Sequence, residues 1–382
     1  MFWEKEGKLI YSYDGETVCI EAWGKDALRV RATKNRSFTG RDWALEAKDA
    51  HAGEVEIFED PSAKGGAFAN MYEGTDTSYG KITNGKLHAV IDSGSVITFY
   101  HEDGRVLVKE HFRRLRDEES MPLNIMGREY SNGVGDNFRI VTRFVARKGE
   151  KIFGMGQYQQ HELDLKGCML ELAQRNSQVS VPFYLSSIGY GFLWNNPGVG
   201  QVMFANNGTE WVTESGKEID YLVIAGDTPA EIEENYMTLT GKPPMMPEYG
   251  MGFWQCKLRY WNQEQLLSVA RKYKELGVPL DVIVVDFFHW TKQGEFKFDP
   301  KYWPDVPGMC RELKEMGIQV VVSVWPTVDI YSENFEEMKE KGYLVRTEHG
   351  VPLTMLCGGN EVFFDATNPD ARTYVWEKIK KN

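Results

Sequence analysis

Asp286 stands directly after Leu280-Asp281-Val282-Ile283-Val284-Val285 and is followed by Phe287-Phe288-His289-Trp290. The run before it is almost continuously apolar, as a strand buried on both faces of a parallel sheet must be. Parallel α/β architectures place their chemistry at the C-terminal ends of such strands. The same rule singles out Trp325, ahead of Pro326-Thr327-Val328-Asp329, and the segment Gln255 to Tyr260. An aspartate beside several aromatics suits sugar recognition. Ring faces stack on the C–H-rich faces of a pyranose, and a carboxylate accepts two hydroxyl hydrogen bonds. Each residue also has a plainer role open to it. Asp286 could cap a turn, Trp325 could pack a core, and His289 and Trp290 could be core side chains. Asp365, just before Thr367-Asn368-Pro369, reads as a cap for a final helix.

Other chemistries lack support. The seven histidines show no HxxxH or HExxH spacing, and the five cysteines (Cys19, Cys168, Cys256, Cys310, Cys357) form no CxxC pair. No metal site, disulfide framework or organic cofactor is therefore expected. Gly154-Met155-Gly156 and Gly250-Met251-Gly252 are only fragments of a dinucleotide fingerprint. The formal charge of −12 argues against a nucleic-acid or anionic-membrane partner. No apolar run reaches the roughly 18 residues a membrane-spanning helix needs. The charged start, Trp3-Glu4-Lys5-Glu6, does not resemble a signal peptide, so the expected location is cytoplasmic.

Two kinds of pattern position these residues. Up to about residue 227, short alternating runs such as Leu9 to Tyr13, Val18 to Trp23 and Leu28 to Ala32 follow one another. Asp14-Gly15 and Asp103-Gly104 supply tight turns between runs, and Lys86 to Lys109 reads as two hairpins in series. This is the pattern of an antiparallel β-sandwich, assigned to residues 1–227. Residues 228–247 read as a linker helix, with Thr228 as cap and Pro229 at its first position, and then a proline-rich boundary, Lys242 to Pro247. From 248 to 382, strands and helices alternate. Strands are expected at Tyr249 to Cys256, Leu280 to Asp286, Ile318 to Trp325 and Val362 to Phe364. Helices are expected at Gln263 to Leu276, Pro307 to Met316, Ser332 to Lys341 and Asn368 to Lys381. Repeated βα units with buried strands give a doubly wound sheet or a (β/α)₈ barrel.

The motifs carry a resemblance. Gly250-Met251-Gly252-Phe253-Trp254-Gln255-Cys256-Lys257-Leu258-Arg259-Tyr260 is similar to the first barrel strand of glycoside hydrolase family 31, and Leu280 to Trp290 to the second. Phe298-Asp299-Pro300, Tyr302-Trp303-Pro304-Asp305, Val324-Trp325-Pro326 and Asp365-Ala366-Thr367-Asn368-Pro369 follow in family order. Val181-Pro182-Phe183-Tyr184 and Gly189 to Asn196 resemble the sandwich that precedes the barrel. Within the family the chain looks closest to the bacterial α-xylosidase and α-glucosidase branch. The resemblance implies an N-terminal antiparallel β-sandwich, galactose-mutarotase-like, followed by the first part of a (β/α)₈ TIM barrel. It implies retaining cleavage of terminal α-xylosidic or α-glucosidic bonds, with no cofactor and with a small sugar or oligosaccharide as partner. Asp286 would hydrogen-bond the sugar, Trp325 and Phe287 would shape its subsite, and Phe288 would pack against it.

The family's nucleophile and acid/base lie on later barrel strands, so both are expected beyond Asn382 and no residue here is assigned either role. Residues 248–382 hold about three βα units, against about 250 residues for a full barrel. A part-built barrel exposes a strand edge and an apolar face, so residues 248–382 alone are expected to be poorly soluble. Alternatives are a non-catalytic carbohydrate-binding or remnant protein, and one half of a split enzyme whose partner supplies the missing C-terminal half. A homo-oligomer is also left open, and so is xylose against glucose preference.

Overall fold

The computed structural model describes residues 1–59, 78–92, 94–111, 113–114, 124–347, 349–354 and 360–382. Cys357 and Ser93 fall outside them. The chain divides into two compact units, Met1–Pro243 and Pro244–Asn382.

The first unit is antiparallel throughout. Its largest sheet runs Phe2–Lys5, Lys8–Tyr13, Glu16–Trp23, Ala27–Thr33, Ile219–Ala225, Tyr190–Trp194, Val179–Ser186 and Ile152–Gln157, with Ala50–His51 paired beside Glu16–Trp23. Two five-stranded sheets and the two-stranded pair Arg113–Arg114 with Asn124–Ile125 join it. One five-stranded sheet carries Glu54–Glu59, Ser78–Asn84, Leu87–Ile91, Ile97–His101 and Val106–Lys109. The other is built on Arg128–Asn132, Phe138–Phe144 and Gly208–Gly216. The expected hairpins at Asp14-Gly15 and through Lys86 to Lys109 are present. Asp14 and Gly15 both take positive φ, 49° and 73°, as a tight turn of this twist demands. Alternation sends Leu9, Ile20 and Val30 inward against Ile82 and Phe99 of one facing sheet, and against Ile140, Phe144 and Trp211 of the other.

The large sheet's opposite face is also covered. Trp23, Leu193, Leu222 and Ile224 pack with Ile232 and Leu239 of the helix Pro229–Thr240. Thr228 caps this helix, its hydroxyl accepting from the Glu231 N–H at 3.2 Å. On the same face Arg29, fully buried, donates to both oxygens of Asp220 (Nε 3.0 Å and Nη2 2.7 Å) and to Asp42 at 2.7 Å.

Gly154-Met155-Gly156 is a β-bulge. The pairing of Ile152–Gln157 with Val179–Ser186 slips between Gly154 and Gly156, which take φ of 116° and 92°. A Cβ on Gly156 would sit 2.2 Å from the Val179 carbonyl oxygen.

The second unit holds a parallel sheet in chain order, Trp254–Gln255, Val282–Val285 and Gln319–Val322. Helices Gln263–Glu275 and Val306–Glu315 cover one side, burying Leu266, Ala270, Met309 and Leu313 against Ile283 and Val285. Both helices begin as their residues dictate: Asn262 accepts from Gln265 N–H at 2.9 Å and Asp305 from Gly308 N–H at 2.8 Å. Helices Phe335–Glu340 and Pro369–Lys381 join the hairpin of Thr327–Asp329 and Glu361–Phe363 around Val328, Met338, Val362 and Val375.

Several expectations are corrected. Of Tyr249 to Cys256 only Trp254–Gln255 is strand, because Glu248–Met251 winds into a 3₁₀ turn. Gly252 lies so close to Asp281 that a Cβ there would meet its carboxyl carbon at 2.2 Å. The run Ile318 to Trp325 keeps only Gln319–Val322 as strand. That strand is an edge among the described residues, and it is half-buried to exposed rather than buried. Asp365 does not cap the last helix. Asn368 does, accepting from Asp370 N–H at 2.9 Å, while Asp365 closes a turn onto Thr367.

Candidate functional site

Val282–Val285 delivers Asp286 to the C-terminal end of the central parallel strand. One carboxylate oxygen accepts from the Phe287 N–H at 2.8 Å, and the other receives the Cys256 thiol at 3.6 Å. The capping role and the site role therefore coexist: one oxygen is tied to backbone, and among the described residues its mate meets only a weak S–H donor. Burial pushes the Cys256 thiol above its ordinary range, and the neighbouring Asp286 charge adds to the shift.

The aromatic surround is uneven. Phe287 stacks on Trp325 with ring centroids 5.6 Å apart and planes 20° apart. Phe288 touches Phe287 at 4.2 Å but leaves 55% of its surface exposed. Phe288 also takes φ of 64°, a left-handed conformation costly for a bulky side chain. The local fold thus spends strain to turn this ring outward. Residues Asp286, Phe287, Phe288 and Trp325 are brought to one end of the sheet, as the strand-end rule expects.

His289 turns inward. It is buried, its Nδ1 lies 3.1 Å from the Asp286 carbonyl oxygen, and its ring packs on Trp290 and Phe298 at 4.7 Å each. Because that neighbour is a carbonyl, Nδ1 carries the proton and donates. Burial holds the imidazole below its usual pKa, so the neutral form is favoured. His289, Trp290, Phe298, Val324 and Trp325 line a cavity of about 200 Å³. It is smaller than complete ligand pockets, which run to about 300–1,000 Å³, and Asp286, Phe287 and Phe288 are not among its lining residues.

Two residues of this end were not resolved individually by sequence reasoning. Cys256 and Arg259 lie in the segment after the first strand that the strand-end rule marks, but no motif distinguishes either one. The Arg259 guanidinium lies over two rings, 3.9 Å from the Trp261 centroid and 4.8 Å from that of Phe288. Among the described residues no group of three or more His, Cys, Asp or Glu side chains is arranged to hold a metal ion. No described helix is long and apolar enough to cross a membrane.

Comparison with known proteins follows the same division. The model of the family 31 glycosyl hydrolase TIM-barrel domain matches residues 243–382, and that of the family's N-terminal galactose mutarotase-like domain matches residues 17–202. The chain is 43% identical over 390 residues to the "Uncharacterized family 31 glucosidase ORF2" of Pseudescherichia vulneris, covering 99% of this chain and 70% of that protein. It is 30% identical to Alpha-xylosidase A of Aspergillus niger over 96% of this chain and 50% of that one. Among solved structures, an alpha-xylosidase of the family from a soil metagenome, complexed with xylose, superposes with a TM-score of 0.88 at 46% identity. That match covers 100% of this chain and 55% of the other. The chain thus spans 50–70% of the length of these relatives. A mutarotase-like sandwich, the opening strands of the barrel and 43% identity to a family member lead to one assignment: the chain belongs to glycoside hydrolase family 31.

Proposed function

We propose that this chain forms the sugar-binding side of a retaining α-glycosidase site acting on terminal α-xylosides or α-glucosides. The observation that carries the reading is Asp286, held at the strand end with one oxygen facing a thiol, beside the outward Phe288 ring. Asp286 accepts hydroxyl hydrogen bonds from the sugar, Phe288 covers one face of it, and the Phe287–Trp325 stack forms the wall. The names of the relatives in Aspergillus niger and the soil metagenome point to α-xylosides as the first substrates to test.

Retaining hydrolysis needs two carboxylates about 5–5.5 Å apart, one as nucleophile and one as acid/base. We place both outside residues 1–382, on later barrel strands. Residues 1–382 alone are therefore inactive, and a half-built subsite binds xylose and glucose too weakly to measure. The test is to incubate this chain with chromogenic α-xyloside and α-glucoside. Release of the chromophore by pure protein refutes the placement of the catalytic pair. Measurable affinity for free xylose, without turnover, favours a carbohydrate-binding module instead.

A further inference from the structure

A charged cluster buried in the first unit ties its nine-stranded sheet to both five-stranded ones. Arg128 donates from Nε and Nη2 to the two oxygens of Glu16, at 3.0 Å each. Its Nη1 meets Glu110, and Nη2 also reaches the carbonyl of Ser95 at 2.9 Å and its hydroxyl at 2.6 Å. Glu16 and Tyr221 belong to the nine-stranded sheet. Ser95 and Glu110 flank the strands Ile97–His101 and Val106–Lys109 of one five-stranded sheet, and Arg128 and Tyr130 lie on the strand Arg128–Asn132 of the other. Glu110 is only 1% exposed. Besides Arg128, its Oε2 accepts from the Ile97 N–H at 3.0 Å, while Oε1 faces the Tyr221 hydroxyl at 3.2 Å. Tyr130 donates to Glu16 at 2.8 Å.

We propose that this cluster is a proton-holding staple: the sandwich folds with Glu110 protonated, and the staple loosens as pH rises. One guanidinium faces two carboxylates, and a second negative charge away from water is removed by taking up a proton. Glu16 receives the paired fork of Arg128 and the Tyr130 hydrogen bond, which favour its charged form. Glu110 shares a single guanidinium nitrogen and lies deeper. Its Oε1 is the one oxygen of the two carboxyls that meets no N–H donor among the described residues, so it carries the proton and donates it to the Tyr221 oxygen. Desolvation pushes this carboxyl above the ordinary range, more than Arg128 pulls it down. The Tyr130 and Tyr221 hydroxyls are held neutral by the same burial. Two further charged groups are near. Asp92, on the hairpin that carries Ser95, is itself pushed up by burial, and Lys109 is exposed. Because the folded chain keeps a proton that the unfolded chain releases, stability is lost as pH rises from the ordinary carboxylate value, about 4.3, toward the raised folded value.

The test is infrared spectroscopy of the full chain at about pH 7, joined to urea unfolding between about pH 5 and 8, the range in which a raised carboxyl differs from an ordinary one. A protonated-carboxyl C=O band is expected in the parent and loses intensity in E110Q. D220N identifies the share of Asp220, whose carboxyl is pushed up to about 6. Glutamine reproduces the neutral form, accepting from Arg128 and Ile97 and donating to Tyr221. E110Q therefore folds, and its unfolding constant rises less steeply with pH than the parent's, by up to about tenfold per pH unit for one proton. Absence of any protonated-carboxyl band in the parent overturns the proposal without a variant. A band untouched by E110Q overturns it as well, as do equal pH slopes in the two proteins or an E110Q chain that fails to fold.

Discussion

Cys256 and Asp286, on neighbouring parallel strands, meet at their C-terminal ends, the thiol donating to the carboxylate over 3.6 Å. The contact exists because Trp254–Gln255 and Val282–Val285 run parallel and in register, Trp254 opposite Val282 and Gln255 opposite Ile283. Each strand therefore projects its next residue to the same end of the sheet. A carboxylate so placed is held by its own backbone on one side and by a soft, easily displaced donor on the other. A ligand hydroxyl needs to displace no strong bond.

Alkylation reports on this pair. Burial and the Asp286 charge both disfavour the Cys256 thiolate, raising its pKa. Removing the charge in D286N lowers that pKa and speeds carbamidomethylation of Cys256 at pH 8. Peptide mass spectrometry with Cys310 as internal reference reads the change. An unaltered Cys256 rate in D286N means the two side chains do not interact in solution.

His289 gives the second unit an acid-sensitive element. Its pKa is lowered by burial, so between the ordinary imidazole value and the folded one the unfolded chain binds more protons. The stability it contributes is complete above about pH 6.5 and is lost as pH falls through the lowered folded value. In H289Q, urea midpoints followed from pH 7.5 down to 5 should fall less than in the parent. A parallel fall in both proteins refutes this.

In the first unit, Arg29→Met leaves Asp220 buried without its partner. Its carboxyl is already pushed up to about 6 by burial, even with Arg29 beside it. The loss expected in urea unfolding is about 3–5 kcal/mol, as for one partner removed from a buried pair. Arg29→Met with Asp220→Leu should recover most of it. A double variant no better than the single one would show that the pair's geometry, and not its charge, is what the sheet requires.

Gly156→Ala tests the bulge. Positive φ and a Cβ 2.2 Å from the Val179 oxygen leave alanine no unstrained position. A destabilisation of about 2–4 kcal/mol follows, at the upper end of single-residue effects. Alanine at Gly104, whose Cβ would meet nothing within 4 Å, carries only the cost of its positive φ and should fall well short of that.

Much of the fold is legible in the residues. Period-two alternation marks strands with one wetter face, such as Lys8–Tyr13 and Leu87–Ile91, whereas Ile219–Ala225 is buried on both faces. Val282–Val285 is marked by being apolar on both sides. The cap of Thr228 is legible because a short polar side chain before a proline-started helix has one efficient use, whereas nothing in the sequence singles out Asn262 or Asp305, or Asn368 over Asp365. What stays hidden is contextual. Nothing in Gly154-Met155-Gly156 distinguishes a bulge from a phosphate loop until its partner strand is known. The antiparallel partner of Glu361–Phe363 is Thr327–Asp329, a piece too short to show a period. Within the site, Asp286, Phe288 and Trp325 follow from the strand-end rule. Arg259 does not, because no motif marks it, and its place over the Trp261 and Phe288 rings depends on the folded arrangement of two loops.

The two units also differ in when they can form. The Phe253 N–H reaches the Asp281 carboxylate only 28 residues onward, and each later strand of the parallel sheet joins the one just before it. The sandwich instead closes by pairing Ala27–Thr33 with Ile219–Ala225, tied by the Arg29–Asp220 bond across 191 residues. Loop closure of that length is slow and entropically costly, whereas sequential strands can be added one by one. During synthesis the sandwich must therefore wait for its last strand before its large sheet is whole. The parallel sheet can grow as the chain emerges, and Asp286 is in place once its strand has docked.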